Sequence, residues 1–194
     1  MYKKPFQVFL FLSAIYFLPA VPVKALEASG YAVDLLPTAL SLIENKAGYS
    51  IQAWAGIERV KVRVIGAHLY LPDERIEGPF TENEMNVSAF LIDYFFQDDF
   101  EGLWIGTGIE NWNCTVRHAD TGEYLTWNDS IMTLGTGYVF KLANGFYIDP
   151  FAAMHYRMND NEVTAQNGDA FKRKRLTYSA SLKLGYQIDF KGGR

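Results

Sequence analysis

The 194-residue chain has a single cysteine, Cys114, so no disulfide can close within it and its fold must rest on non-covalent contacts. Charge is also sparse, at 21% of residues with a formal net charge of -4. With 49% of the chain apolar, disorder driven by high charge and low hydrophobicity is excluded. Long apolar runs are missing except at the N-terminus, which excludes a polytopic helical membrane protein built from several runs of about 20 residues. No metal-ligand cluster is visible, and neither a metal nor a cofactor is expected. Aromatic residues, by contrast, are abundant: 14 Phe, 12 Tyr and 4 Trp. Mean hydropathy is nevertheless near zero, at -0.06. Alternating apolar and polar residues would produce that average.

Residues 1–25 read as a secretory signal peptide. Lys3 and Lys4 form the charged start, Phe6 to Leu18 the apolar stretch, and Val23-Lys24-Ala25 a small-residue cleavage site. Pro19 and Pro22 cut the apolar run short, which disfavours the alternative of an uncleaved anchor helix. No cysteine follows this stretch, so a lipid-anchored junction is excluded. Cleavage removes Lys3, Lys4 and Lys24 but no acid, moving the net charge from -4 to -7. Such a chain is a poor match for nucleic-acid phosphates, and no nucleic-acid partner is expected. Residues 26–190 then form one domain, followed by a short tail, 191–194.

The domain reads as long alternating strands. Over 176–190 the even positions are all apolar and the odd ones polar or small, from Leu176 and Tyr178 on one face to Gln187 and Asp189 on the other. That length exceeds a typical soluble strand and suits a tilted strand crossing a bilayer. The same period runs through 146–158, 130–140, 103–111 and 59–64. In 85–96, Phe90, Ile92, Tyr94 and Phe96 are expected to face outward and Asp93 inward. Residues 49–57 and 31–43 complete the set. The last of these also has helix-compatible spacing, but strand is preferred because it brings the count to an even eight. Longer joins at 44–48, 72–84, 117–125 and 159–174 alternate with shorter ones at 56–59, 97–102 and 141–145. This asymmetry is typical of outer-membrane barrels, with both termini on the short-turn side.

The final strand carries Lys183-Leu184-Gly185-Tyr186-Gln187-Ile188-Asp189-Phe190. With the signal peptide, it makes the chain resemble the small outer-membrane β-barrel proteins of Gram-negative bacteria, the OmpA/OmpX/OmpW-like class. The resemblance is architectural over the domain, and its specific motif is confined to the last strand. It implies an eight-stranded antiparallel up-and-down transmembrane β-barrel located in the bacterial outer membrane. It further implies that Lys183, Gly185, Ile188 and Phe190 form a signal read by the barrel-assembly machinery. The extension 191–194 beyond Phe190 departs from that pattern. A soluble lipocalin-like binding barrel is the architectural competitor. Its interior would be crowded by the Phe, Tyr, Leu and Met faces, whereas the Gly, Ser and Thr faces fit a narrow lumen. Pro150 is the discordant residue, because a strand proline removes a ladder hydrogen bond.

Inward faces carry Arg59, Lys61, Arg63, Asp93, Glu110, Asp149, His155, Arg157 and Lys183. Buried charges must pair, so these are expected to form a lumen network, with Glu110 central and Arg157 or Lys183 as its partners. The network either fills the lumen structurally or gates a narrow pore. Lys172, Arg173, Lys174 and Arg175 begin the last strand on the external side and suit lipopolysaccharide phosphates. Trp104, Trp112, Trp127, Tyr124 and Tyr147 are candidates for interfacial aromatic belts, with an inward Trp104 as the alternative. Cys114 is expected to be a small strand residue without a redox role.

His155 raises an enzymatic alternative. Lipid A deacylases among small barrels use a His-x-Ser pair with a distant acid, but the matching positions here read His155-Tyr156-Arg157 and lack the nucleophile. His68 and His118 have no such arrangement in the sequence. The expected role is therefore structural, interactive or narrow-pore, in a monomer contacting outer-membrane lipid and lipopolysaccharide, and not enzymatic.

Overall fold

The computed structural model describes residues 26–43, 46–71, 76, 78–159 and 162–190. The expected signal peptide and the tail 191–194 lie outside these residues. The strands are β1 (Ala28–Asp34), β2 (Tyr49–Ile57), β3 (Val60–Leu71), β4 (Phe80–Phe95), β5 (Gly102–His118), β6 (Tyr124–Lys141), β7 (Phe146–Arg157) and β8 (Leu176–Asp189). Each pairs antiparallel with its sequence neighbours, and β8 returns to β1, so the described sheet closes into an eight-stranded up-and-down barrel. Over the length of β1, closure pairs backbone groups all round the wall, as a sheet surrounded by lipid requires.

Side-chain period two sorts the residues cleanly. Leu103, Ile105 and Ile109 of β5 point outward, while Trp104 between them is 1% exposed. Leu176, Tyr178, Leu182 and Leu184 of β8 likewise face out, and Lys183 lies inside. The outer face changes character along one line near the longer loops. Phe90 gives way to Ser88, Ile109 to Asn111 and Met132 to Ser130. Beyond that line Asn111, Asn113 and Asn128 hydrogen-bond to one another across β5 and β6 at 2.8 to 3.2 Å. At the opposite rim aromatic rings gather in pairs: Tyr31 with Tyr186, Phe146 with Tyr186, Tyr94 with Phe96 and Tyr138 with Phe140. An apolar band bounded by rings at one edge and polar side chains at the other is the outer surface of a transmembrane barrel.

One expected strand is corrected. Residues 31–43 divide between the end of β1 and a helix, α1 (Leu35–Ile43). The switch has a local cause. Asp34 Oδ1 accepts the Leu36 N–H at 3.1 Å, the bond of an N-cap, and Pro37 falls in the first helical turn, where its missing N–H costs nothing. β1 consequently stops opposite Lys183, and β8 residues 176–182 have no β1 partner. Helix α1 lies against β2, β3 and β8 beyond that point. Pro150 interrupts the β6–β7 ladder locally, since pairing passes from Gly137–Phe151 to Phe140–Ile148. The connections keep most of the expected asymmetry, with 58–59, 96–101 and 142–145 at one rim and the longer 72–79 and 158–175 at the other; the β5–β6 turn, 119–123, is the exception, being no longer than the connections opposite. At the short-turn rim the Phe190 N–H donates to the Glu27 carbonyl, so both described ends of the domain meet there.

Candidate functional site: the filled lumen

Inward side chains occupy the barrel in successive layers. At the short-turn end the β4–β5 turn holds Phe100 at a left-handed φ of 57°, which costs a non-glycine residue roughly 1–2 kcal/mol. That backbone turns the ring into the barrel, where it packs on Trp54 (5.5 Å) and Phe95 (5.7 Å). Gly56 makes room for it, since a Cβ there would lie 2.3 Å from the ring.

Above this aromatic floor lies the charged layer. The Arg63 guanidinium grips Asp93 through Nε (2.7 Å) and Nη2 (2.9 Å), and its Nη1 donates to Gln52 (3.0 Å). Lys183 Nζ donates to Asp149 Oδ2 at 3.0 Å, and the Trp104 indole N–H donates to Oδ1 at 2.9 Å. Lys61, itself buried, stacks its ammonium over Trp54 at 4.8 Å and Phe95 at 5.0 Å. Aromatic faces thus share the task of compensating three cations beside two carboxylates.

The next layer centres on Glu110, and its partners differ from those expected. The carboxylate receives Trp112 Nε1 (2.7 Å) and Thr133 Oγ1 (2.7 Å), with His155 Nδ1 at 3.5 Å. Neither Arg157 nor Lys183 pairs with it: Lys183 belongs to Asp149, and Arg157 Nη2 donates to the Arg173 carbonyl at 3.1 Å. Ser179 on β8 brings its Oγ to 2.8 Å from His155 Nε2. With Glu110 ionised, Thr133 donates to it and accepts from Nδ1–H, which leaves Nε2 to accept the Ser179 proton. The serine absent along the strand from His155 is therefore supplied across it. Sequence reasoning missed it, because only the β7–β8 register, with Ala153 opposite Ser179, brings the two together.

Two more expected site residues are corrected. Arg59 lies in the exposed β2–β3 turn and pairs with Asp98 at 2.9 Å, outside the lumen. Arg173 turns inward, where it pairs with Asp129 and stacks on Trp127 at 5.5 Å. Lys172 and Lys174 are exposed, and Arg175 stacks over Tyr156 at 5.2 Å. Of the expected belt residues only Tyr124 faces outward; Tyr147 and the tryptophans are lumenal. All four tryptophans donate their indole N–H inside the barrel, Trp54 to Tyr147, Trp104 to Asp149, Trp112 to Glu110 and Trp127 to Asp129. Buried acceptors hold these indoles away from the lipid interface. Within the closing-strand motif Lys183 is lumenal, Ile188 and Phe190 face outward, and Gly185 lets the Tyr147 ring approach where a Cβ would meet it at 2.1 Å. Cys114 is buried as a free thiol.

The longer-loop end is covered as well. The β7–β8 connection folds over the mouth and buries Val163 and Ala165 against Phe80, Val116 and Leu125. His118, fully buried, donates through Nε2 to Asp169 of this loop at 2.9 Å, and Thr121 N–H satisfies Nδ1. The His118 and Asn167 contacts hold the Asp169 carboxyl below the ordinary range.

The architecture defines the chain as an eight-stranded barrel of the small outer-membrane type. Solved structures agree with that shape. The N-terminal β-barrel domain of Pseudomonas aeruginosa OprF matches 84% of this chain and 98% of its own at a TM-score of 0.51 and 11% identity. A major outer membrane protein from Thermus thermophilus matches 84% of this chain and 100% of its own at a TM-score of 0.55 and 9% identity. No protein-family model matches the chain, and neither does any curated protein.

Proposed function

We propose that the protein is a monomeric barrel of the bacterial outer membrane, with a structural or interaction role and a lumen closed to solutes. The observation carrying this reading is that the lumen is filled at both ends and in the middle. Phe100 and Trp54 form its floor, the Asp93 and Asp149 ion pairs cross its centre, and the Val163 segment covers its mouth. The polar upper parts of β5 and β6 then stand outside the cell as a contact surface. Lys172, Lys174 and Arg175 meet lipopolysaccharide phosphates, and the barrel-assembly machinery reads the closing strand. Planar-bilayer recordings of the folded protein test the closed lumen: silence is expected. Discrete channels that change when Lys61 or Asp149 is neutralised would replace this reading with a narrow pore.

A second reading follows from the Ser179–His155–Thr133–Glu110 chain, which has the spacing of an activated serine nucleophile. It predicts a lipid ester hydrolase. Lipid A masses after overexpression, compared between the wild type and Ser179→Ala, decide it. A deacylated species absent from the variant would establish it, and unchanged masses would reject it.

A further inference from the structure

A groove of about 590 Å³ is cut into the lipid-facing wall across β6, β7 and β8, lined among others by Ile105, Thr136, Ala152, Ala180, Met154 and Tyr178. Strand register explains it. Ile105, Thr136, Ala152 and Ala180 are successive cross-strand partners, so one row of the outer face shrinks to small side chains next to Ile105. The row above is large, with Leu134 opposite Met154 and Met154 opposite Tyr178. Higher still lie Met132, Tyr156 and Leu176, the last apolar row before the polar Ser130 and Asn111. Arg175, just before β8, lies over the Tyr156 ring at that level, and the exposed Lys174 and Lys172 precede it in the chain entering the strand.

We infer that this wall seats one phosphorylated, multiply acylated glycolipid of the outer leaflet. Its phosphate lies against Lys172, Lys174 and Arg175, and one acyl chain runs down into the groove. The inference rests on reading those cations as a phosphate contact, and adds the apolar half of the site. Two features support a single occupant. Arg175, the residue before β8, and Ala180 within it are five residues apart, about 16 Å of extended chain, so Arg175 stands at the polar edge of the apolar band while the groove lies well inside it. The charges also complement a phosphate at that edge, whereas a second copy of this chain would bring the same cations against them. Inside a bilayer the gain comes from close contact in a recess that straight-walled neighbours leave poorly filled.

The test is native mass spectrometry of the full mature barrel released from micelles, with purified lipid A as probe and with dephosphorylated lipid A and phosphatidylethanolamine as controls. Wild type is expected to retain lipid A over both controls. Ala180→Trp, which fills the groove from the lipid side, is expected to lower retention roughly tenfold, as is Ala152→Trp. Heat-shifted gel migration confirms that each variant is folded; Ala180→Leu serves if the tryptophan variants are not. Replacing Lys172, Lys174 and Arg175 together by Gln should abolish the preference for the phosphorylated form. If the groove variants retain lipid A like wild type while the Gln variant does not, the acyl seat is overturned and the phosphate contact stands. If the Gln variant also behaves like wild type, the phosphate contact falls as well. Equal retention of phosphatidylethanolamine by wild type overturns both.

Discussion

Asp149 joins more of the lumen than any other carboxylate in its layer, because it accepts from both the Lys183 ammonium and the Trp104 indole. Removing it leaves a buried cation uncompensated. Asp149→Ala is therefore expected to cost about 3–5 kcal/mol in urea unfolding from micelles, while Asp149→Leu combined with Lys183→Met recovers most of the loss. The facings of the charged residues inside strands were legible: Lys61, Asp93, Glu110, His155 and Lys183 follow the period-two rule. Arg59 and Arg173 lie beyond strand ends, where alternation no longer determines direction. The tryptophans were misjudged for a different reason. Interfacial belts are the usual place for indoles, but Trp112 follows Glu110, and Trp127 precedes Asp129, by two residues on the same inward face. That in-phase acid was readable; the pairing of Trp104 with Asp149, from another strand, was not.

Among the elements, α1 shows where local chemistry overrides a count. The even number of strands is kept without the second half of 31–43, because the short β1 supplies the pairing that closes the sheet. Asp34→Ala removes the cap and is expected to destabilise the barrel by about 1 kcal/mol, read as a lower urea midpoint with unchanged slope. The loop over the mouth was legible only as a long connection, since its contacts to Val116 and His118 join segments distant in sequence. Its attachment should depend on acidity. A carboxylate held below its ordinary value stabilises the attached loop above that value, and the contribution is lost as pH falls through the lowered one. Hydrogen exchange at the Ala165 and Phe171 amides should therefore stay slow from neutral pH to about 4 and accelerate below it. Protection unchanged well below that range would show that Asp169 does not fasten the loop.

At the scale of the whole molecule, near-zero hydropathy in an aromatic chain resolves into two faces of opposite character wrapped into a cylinder. The outer face carries Phe90, Ile105, Leu134 and Leu184, and the inner one Arg63, Asp93 and Lys183. A soluble barrel would reverse these faces. Closure and strand order were legible because long period-two strands following one another through short connections admit few other arrangements. How the lumen is sealed was not, since Phe100 and Val163 act from outside the strands. The most direct test of the transmembrane barrel is gel migration of the protein from fractionated outer membranes, with and without boiling. The account predicts that the protein is found in that fraction, released by detergent, and that the unboiled form runs as a compact species shifting on heating. Recovery in the detergent-free soluble fraction, with no heat-dependent shift, would contradict it.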